Sequence, residues 1–181
     1  SSDETDTASQ RSYFITPKIQ SRDVNGFFRQ FFPIFRRLRN STDRIRFAYR
    51  VRESNTLPAY ENITWASTTT FTGTNADVVV GNFVEILGGA NGGLLAEITA
   101  ITGSPTRTFT IDLTVNSSTA VARARYLDFT DLATIDSQAL QRTVMRIAKR
   151  SEWIQFLVEA RGDETSPEFQ EMILELDNLP F

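Results

Sequence analysis

The chain has 181 residues, of which 40% are hydrophobic and 23% charged, and this fits one globular domain or a small domain with appendages. It contains neither Cys nor His, which excludes disulfides, thiolate nucleophiles and the Ser-His-Asp and Cys-His arrangements, so we expect no enzyme, no cofactor and no bound metal. The net charge of −3 is uneven: residues 21–52 hold nine arginines and two aspartates, a local charge of +7, which leaves −10 for the remainder.

Residues 1–20 are predicted to form an extended N-terminal arm. The first ten are mostly polar, and the following YFITPKIQ contains a proline and β-branched residues. This composition disfavours a helix, and we expect the arm to be ordered only against a neighbour. No apolar run in the chain approaches the roughly 18 residues that span a bilayer, so no membrane contact is expected.

Residues 21–42 are predicted to form an amphipathic helix. Its apolar residues recur at intervals of three and four, as on one face of a helix: Val24, Phe28, Phe31, Phe35 and Leu38. Phe27, Phe32 and Ile34 widen this face, and Pro33 would kink the helix or divide it in two. We expect the face to pack on the chain's own core or on another subunit.

Residues 43–127 are predicted to form a small antiparallel β-barrel or sandwich. In RIRFAYRV, residues 44–51, a two-residue alternation indicates a half-buried strand with its arginines in water. Further strand-sized segments follow between turn signals at 60–72, 77–87, 94–103, 106–115 and 120–129.

The glycine-rich segment EILGGANGGLLAEI, residues 85–98, raises the question of a phosphate site. A P-loop requires a Lys and a Ser or Thr after its last glycine, but Leu94 and Leu95 follow Gly93. A dinucleotide site requires a helix there, but LLAEITAITG has the pattern of a strand. The segment is therefore predicted to be a hairpin turn, in which the glycines and Asn91 supply positive φ angles.

Residues 128–181 are predicted to be helical, which completes an α+β fold. The first helix is expected from a cap at Thr134 or Asp136 to about residue 160. Its apolar face comprises Leu140, Val144, Ile147, Ile154 and Val158. The second begins at residues 166–168, Ser-Pro-Glu. Its apolar face comprises Phe169, Met172, Ile173 and Leu176.

Asp128, Asp131 and Asp136 form a group of carboxylates just before the predicted helices. Their spacing does not match a calcium loop and no Gly lies among them, so turn and helix-cap roles are expected. A hydrolase that used only Asp128 and Asp131 would need the two groups about 5–9.5 Å apart across a cleft.

The segment RYLDFTDLATIDSQALQRTVMRIAKRSEW, residues 125–153, resembles the end of the virion-proximal domain of T7-like phage tail fibres. There, a strand leads through a DFTDG-type turn into a helix. The matching residues are Asp128, Phe129, Thr130, Asp131, Leu140 and Gln141, whereas Leu132 replaces the Gly of the pattern. The resemblance implies a non-catalytic module that docks a fibre or ring to the virion, as a trimer or hexamer.

We therefore expect a structural subunit of a phage particle: a tail-fibre base, baseplate or adaptor protein in the tail or head–tail region of the virion, assembled in the host cytoplasm. Its expected partners are other virion proteins and further copies of itself. The predicted subunit contacts are Phe27, Phe28, Phe31, Phe35, Leu38, Ile147 and Trp153. The predicted contacts with acidic partner surfaces are Arg29, Arg36, Arg37 and Arg39. The alternative is a nucleic-acid-binding module that uses the arginines of residues 21–52.

Overall fold

The computed structural model describes residues 10–21, 26–35, 38, 43–52, 57, 60–115, 121–136, 144–162 and 169–177. Within these residues the chain forms fourteen β-strands and no helix, so the predicted α+β class is wrong. The chain divides into two compact units. The sandwich unit comprises residues 1–53 and 130–181, and the barrel unit comprises residues 54–129, inserted between these two segments. The predicted β-domain of residues 43–127 therefore included one strand that belongs to the sandwich unit.

The sandwich unit contains eight of the described strands. They are β1 (Gln10–Ile15), β2 (Ile19–Gln20), β3 (Gly26–Phe35), β4 (Arg44–Val51), β11 (Thr130–Ile135), β12 (Met145–Ser151), β13 (Trp153–Gly162) and β14 (Phe169–Asp177). A five-stranded sheet has the order β1-β13-β4-β11, with β2 also paired to β13. A three-stranded sheet has the order β12-β3-β14, and every strand pair in both sheets is antiparallel.

The two sheets of this unit enclose one apolar core. Phe28 and Phe31 of β3 are fully buried in the same cluster as Phe47 of β4 and Phe156 of β13. Alternate residues of a strand point to opposite faces, so Ile45, Phe47, Tyr49 and Val51 all face inward, as the alternation in RIRFAYRV predicts. The expected wet face of that strand is only partly present, because Arg44 is exposed but Arg50 is buried.

The barrel unit is a closed barrel of six antiparallel strands in the order β10-β5-β6-β9-β8-β7. These strands are β5 (Glu61–Trp65), β6 (Thr70–Gly73), β7 (Phe83–Ile86), β8 (Leu95–Thr102), β9 (Arg107–Ile111) and β10 (Val121–Leu127). Its interior contains Phe71 and Phe109, whose stacked rings lie 5.2 Å apart between centroids. Of the two predicted alternatives, an antiparallel barrel or a sandwich, residues 54–129 form the barrel.

The glycine-rich segment connects β7 and β8, which pair with each other as a hairpin, so its prediction as a turn is confirmed. The amide of Gly93 donates to the carbonyl of Ile86 at 2.8 Å, and Gly93 has a φ of +87°. At Gly92 a side chain is excluded by space, since a Cβ there would lie 2.9 Å from the Cα of Gly88. Backbone geometry therefore explains both glycines.

The predicted helix over residues 21–42 is wrong, because residues 26–35 form β3. Phe28 and Phe31 both point into the core although they are three positions apart, and β3 achieves this by an irregularity at Arg29. Residues Gln30 and Phe28 pair with consecutive residues of β14, so Arg29 has no opposite residue there. One extra residue in a strand shifts the inward positions and imitates a helical interval.

The two predicted C-terminal helices are also wrong where the structure describes them. The expected cap at Thr134 lies inside β11, and Ile147 lies in β12. Ile154 and Val158 lie in β13, where an interval of four residues also returns to the same face of a strand. Residues 169–177 form β14, and the expected helix start at residues 166–168 and Leu140 lie outside the described residues.

The described part of the predicted N-terminal arm pairs with its own chain, not with a neighbour. β1 and β2 both add to β13, and the hydroxyl of Thr16 accepts a hydrogen bond from the amide of Phe156 at 3.0 Å. The extended conformation was predicted, but the partner strand was not. Residues 1–9 lie outside the described residues.

Candidate functional site: the three-stranded sheet

The outer face of the three-stranded sheet is apolar. Along β3, Phe31 and Pro33 are buried whereas Phe32 and Ile34 are partly exposed, so the last two point away from the core. Ile173 of β14 lies directly opposite Phe32 and is 41% exposed. The outward face of an antiparallel sheet is ordinarily polar. We name Phe27, Phe32, Ile34 and Ile173 the apolar face, since Phe27 is also partly exposed beside buried Phe28.

A polar group borders this face toward the start of β3. Glu175 accepts a hydrogen bond from the side-chain amide of Gln30, and its Oε1 lies 3.8 Å from Nη1 of Arg29. The side chains of Arg29 and Glu175 are 54% and 39% exposed, so this ion pair is solvated and contributes at most about 1 kcal/mol. The Arg29–Glu175 pair therefore marks where the apolar face ends and contributes little to the stability of the sheet.

The two edge strands of this sheet carry opposite charges. β12 has three cations, Arg146, Lys149 and Arg150, and no acid, whereas β14 has three acids, Glu171, Glu175 and Asp177, and no cation. The β12 cations are exposed, and none of them makes an ion pair with another described residue. A bulge lies between Arg146 and Lys149, where Ala148 has a φ of +51°.

The predicted subunit contacts separate into two groups. Five of them are buried within the described part of their own chain: Phe28, Phe31, Leu38, Ile147 and Trp153. Phe27 belongs to the apolar face, and the side chain of Phe35 lies outside the described ones. The buried residues contribute to the chain's own packing, and their predicted part in subunit contacts stays a prediction.

The predicted contacts with acidic partners are mostly outside the described residues, which exclude Arg36, Arg37 and Arg39. The described arginines of residues 21–52 are largely engaged by their own chain. Arg46 binds Asp131 through two nitrogens at 2.8 and 2.7 Å, and Nε of Arg50 donates to Gln155 at 2.7 Å. Arg46 and Arg50 are therefore engaged within their own chain.

The aspartates near residue 130 have structural partners. Asp128 accepts a hydrogen bond from the side-chain amide of Asn82 at 3.2 Å, and Asp131 binds Arg46. Asp136 is exposed at the end of β11. Within the described residues, no three acidic side chains are grouped so that they could hold a metal ion.

Glu61 in β5 is a carboxylate whose two oxygens both accept hydrogen bonds. It accepts hydrogen bonds from the backbone and hydroxyl of Thr74, from the amide of Asn75 at 3.1 Å and from the hydroxyl of Tyr126 at 2.7 Å. Burial raises the pKa of this carboxyl, but the hydrogen bonds outweigh burial and hold the pKa below its ordinary value. Because its oxygens are already occupied, Glu61 fixes the turn after β6 to the barrel wall.

Comparison with known proteins assigns this chain to no family. No family model, no curated protein and no solved structure matches this chain. The segment that resembles tail fibres also departs from the implied local structure, because Thr130–Ile135 continues as β11 where a helix was implied. No helix in the described ranges is long and apolar enough to cross a membrane.

Phe32 and Ile173 were predicted to lie on apolar faces, but on faces of helices. The opposite charges of residues 145–151 and 169–177 were not part of the prediction. Counting charges by segment would have revealed this contrast, although only the sheet order shows that the two segments form the two edges of one sheet.

Proposed function

We propose that this chain is a non-catalytic structural subunit of a phage particle that assembles with further copies of itself. The observation that carries the proposal is the apolar face of the three-stranded sheet. Exposed Ile173 and partly exposed Phe32 and Ile34 share one outward surface, and apolar side chains grouped on a surface are typical of interaction sites.

The magnitude of apolar burial supports this role. Fully burying one Phe or Ile side chain is worth about 1.5–3 kcal/mol relative to full exposure. The side chains of the apolar face are already partly covered, so each contributes a fraction of this value on assembly. Several such fractions, repeated in every subunit, offset part of the entropic cost of association.

The phage assignment is supported by the resemblance of Asp128-Phe-Thr-Asp131 to the tail-fibre pattern. In this chain these residues connect β10 to β11, where the chain leaves the barrel unit and returns to the sandwich unit. The ring of Phe129 packs edge-on against Phe83, with centroids 5.8 Å apart. Phe129, together with Asp128, which accepts a hydrogen bond from Asn82, is thus held by contacts within the barrel unit.

The test is the mass of the particle in solution, measured by light scattering on a sizing column at about 1 M NaCl, where charge attractions are screened. We expect a salt-stable oligomer without excess absorbance at 260 nm. Phe32→Ser with Ile173→Ser should convert it to a smaller species. Val79→Ser with Val80→Ser is the matched control, because these valines are 56% and 58% exposed in the barrel unit.

A monomer at all salt concentrations would overturn the proposal, as would an oligomer that the apolar-face variant leaves intact. Nucleic acid that co-purifies and is removed by salt would instead favour the nucleic-acid-binding module, since release of counterions makes such binding strongly salt-dependent.

A further inference from the structure

Among the strands that the structure describes, none pairs with the outer side of β12 or β14 in the three-stranded sheet, so both of its edges are open. Within the described residues, β12 and β14 each have one hydrogen-bonded neighbour, the central strand β3. An open edge presents unpaired backbone amides and carbonyls to which another strand can add. Because both edge strands are antiparallel to β3, they run in the same direction.

The charges of the two edges are complementary. β12 carries +3 from Arg146, Lys149 and Arg150. β14 carries three acids, of which Glu175 is paired with Arg29 of β3, whereas Glu171 and Asp177 are the other two. β12 is seven residues long and β14 nine, and neither strand carries a charge of the other sign. In a chain with a net charge of only −3, this separation across a single sheet gives the sheet a basic edge and an acidic edge.

Charges and bulges on edge strands ordinarily protect a sheet from unwanted pairing. The bulges at Ala148 in β12 and near Arg29 and Leu176 in the β3–β14 pair fit this purpose, because they limit any continuous ladder. Protection by charge, however, requires edges that repel each other. When the two edges of a sheet have opposite signs, two copies repel each other if like edges meet. They attract each other if the basic edge of one copy meets the acidic edge of the next.

We infer that β12 of one copy binds β14 of a second copy, so that subunits join head to tail through the edges of their three-stranded sheets. When both copies present the same face of the sheet, the paired edges are parallel, because β12 and β14 run in the same direction within each copy. This contact uses two different surfaces and is therefore heterologous, and it generates a closed ring or an open filament. The inference rests on the self-assembly in the proposed function and names the surfaces that carry it.

Charge reversal followed by mixing tests this contact. One variant combines Lys149→Glu and Arg150→Glu, which makes its β12 edge acidic. The other combines Glu171→Lys and Asp177→Lys, which makes its β14 edge basic. Each variant then carries two edges of the same sign, so self-association at about 50 mM NaCl should weaken by about a hundredfold or more.

Mixing the two variants should restore assembly. The acidic β12 edge of the first variant faces the basic β14 edge of the second, and the remaining junction retains its native charges. Sedimentation velocity of the equimolar mixture should show a complex that neither variant forms alone. A second check combines all four changes in one chain, which restores opposite edges and should restore self-association.

The control for the β12 variant is a variant with Arg44→Glu and Arg123→Glu, which makes the same change in net charge as Lys149→Glu with Arg150→Glu, but at exposed residues away from β12 and β14. It should associate as the unmodified chain does, and thermal unfolding should show that all variants fold. Folded reversal variants that self-associate normally, or mixtures that do not assemble, would overturn the inference. If the oligomer persists at high salt and is lost only in the Phe32→Ser, Ile173→Ser variant, the proposed function is supported and the β12–β14 contact is contradicted.

Discussion

The rings of Phe31 and Phe156 stack with their centroids 4.7 Å apart and their planes inclined by 17°. Phe31 belongs to the three-stranded sheet and Phe156 to the five-stranded sheet, so this pair joins the two layers of the sandwich unit. Phe47 meets Phe31 edge-on at 5.4 Å. Phe31 is thus at the centre of the core. A polar residue at this position would destabilise the fold, so its effect on assembly could not be separated from unfolding.

Phe31→Ala should lower the free energy of unfolding of the sandwich unit by about 3–5 kcal/mol, because it removes buried surface and leaves a cavity between two rings. Urea unfolding followed by fluorescence of Trp153, in a Trp65→Phe background, would measure the loss. Phe14→Ala is the matched control, since Phe14 is 52% exposed and should lose far less. Equal losses at the two positions would contradict the packing described for Phe31.

The failure of the predicted helix over residues 21–42 has a physical cause. A hydrophobic interval of three residues is typical of a helix, but a strand with one extra residue also places Phe28 and Phe31 on the same side. The extra residue in β3, Arg29, is recognisable only when the register with β14 is known. Pro33 was the one local signal against a regular helix.

The prediction of C-terminal helices was wrong because apolar residues four positions apart lie on one face of a helix and also on one face of a strand. Ile154 and Val158 share a face in a helix and equally in β13. In contrast, RIRFAYRV alternates strictly and was predicted correctly as a strand. The barrel was also predictable, since its strands are short, rich in β-branched residues and separated by glycine and asparagine turns.

The candidate surface was only partly predictable. The sequence shows that Phe27, Phe32 and Ile173 are apolar, but not which apolar residues face outward. That assignment depends on bulges and on which strands lie at the edges, and both arise from pairing between residues far apart in the chain. The opposite charges of β12 and β14 could be counted in the sequence, but their meaning required the sheet order.

Arg46→Met should destabilise the sandwich unit by about 1–3 kcal/mol. Arg46 Nη1 lies 3.5 Å from Oε2 of Glu159, whose side chain is only 6% exposed, so the substitution removes a cation from a buried carboxylate. The loss is smaller than for an isolated buried pair, because Arg161 remains 3.2 Å from Glu159. Chemical denaturation monitored through Trp153 would measure the difference from the unmodified chain.

The control for Arg46 is Arg52→Met. Arg52 binds Glu152, but their side chains are 61% and 39% exposed, and solvated pairs contribute about 0–1 kcal/mol. We expect the control to unfold almost as the unmodified chain does. If both substitutions had the same small effect, the buried position of Glu159 would not matter for stability.

Arg107→Lys should destabilise the barrel unit by about 1–3 kcal/mol. Nη1 of Arg107 lies 2.9 Å from each of the carbonyl oxygens of residues 75, 76 and 78. A lysine side chain is shorter by one bond, so its ammonium would not reach all three carbonyls at hydrogen-bond distance. Fluorescence of Trp65 in a Trp153→Phe background would follow unfolding of the barrel. Arg123→Lys is the control, because exposed Arg123 only lies over the ring of Tyr60.

Glu61 should make the barrel unit sensitive to acid. The pKa of Glu61 is held below its ordinary 4.5 in the folded state, so its contribution to stability is present above the unfolded pKa and is lost as the pH falls through the folded pKa. At neutral pH, Glu61→Gln should be less stable than the unmodified chain, because an amide cannot accept all the same hydrogen bonds. The difference should narrow as the pH falls from about 7 to about 3.

Tyr126→Phe removes one hydrogen bond to Glu61 but keeps the Glu61 carboxylate, so it distinguishes the effect of that hydrogen bond from the effect of the charge. It removes the donor 2.7 Å from Oε2 but leaves the donors from Thr74 and Asn75 in place. We therefore expect the pKa of Glu61 to rise part of the way toward 4.5, and the acid-dependent loss of stability to become smaller without disappearing. Urea unfolding of the three proteins at several pH values, followed through Trp65, measures these differences. A Glu61→Gln variant whose deficit stayed constant from neutral to acidic pH would show that the Glu61 charge does not stabilise the barrel.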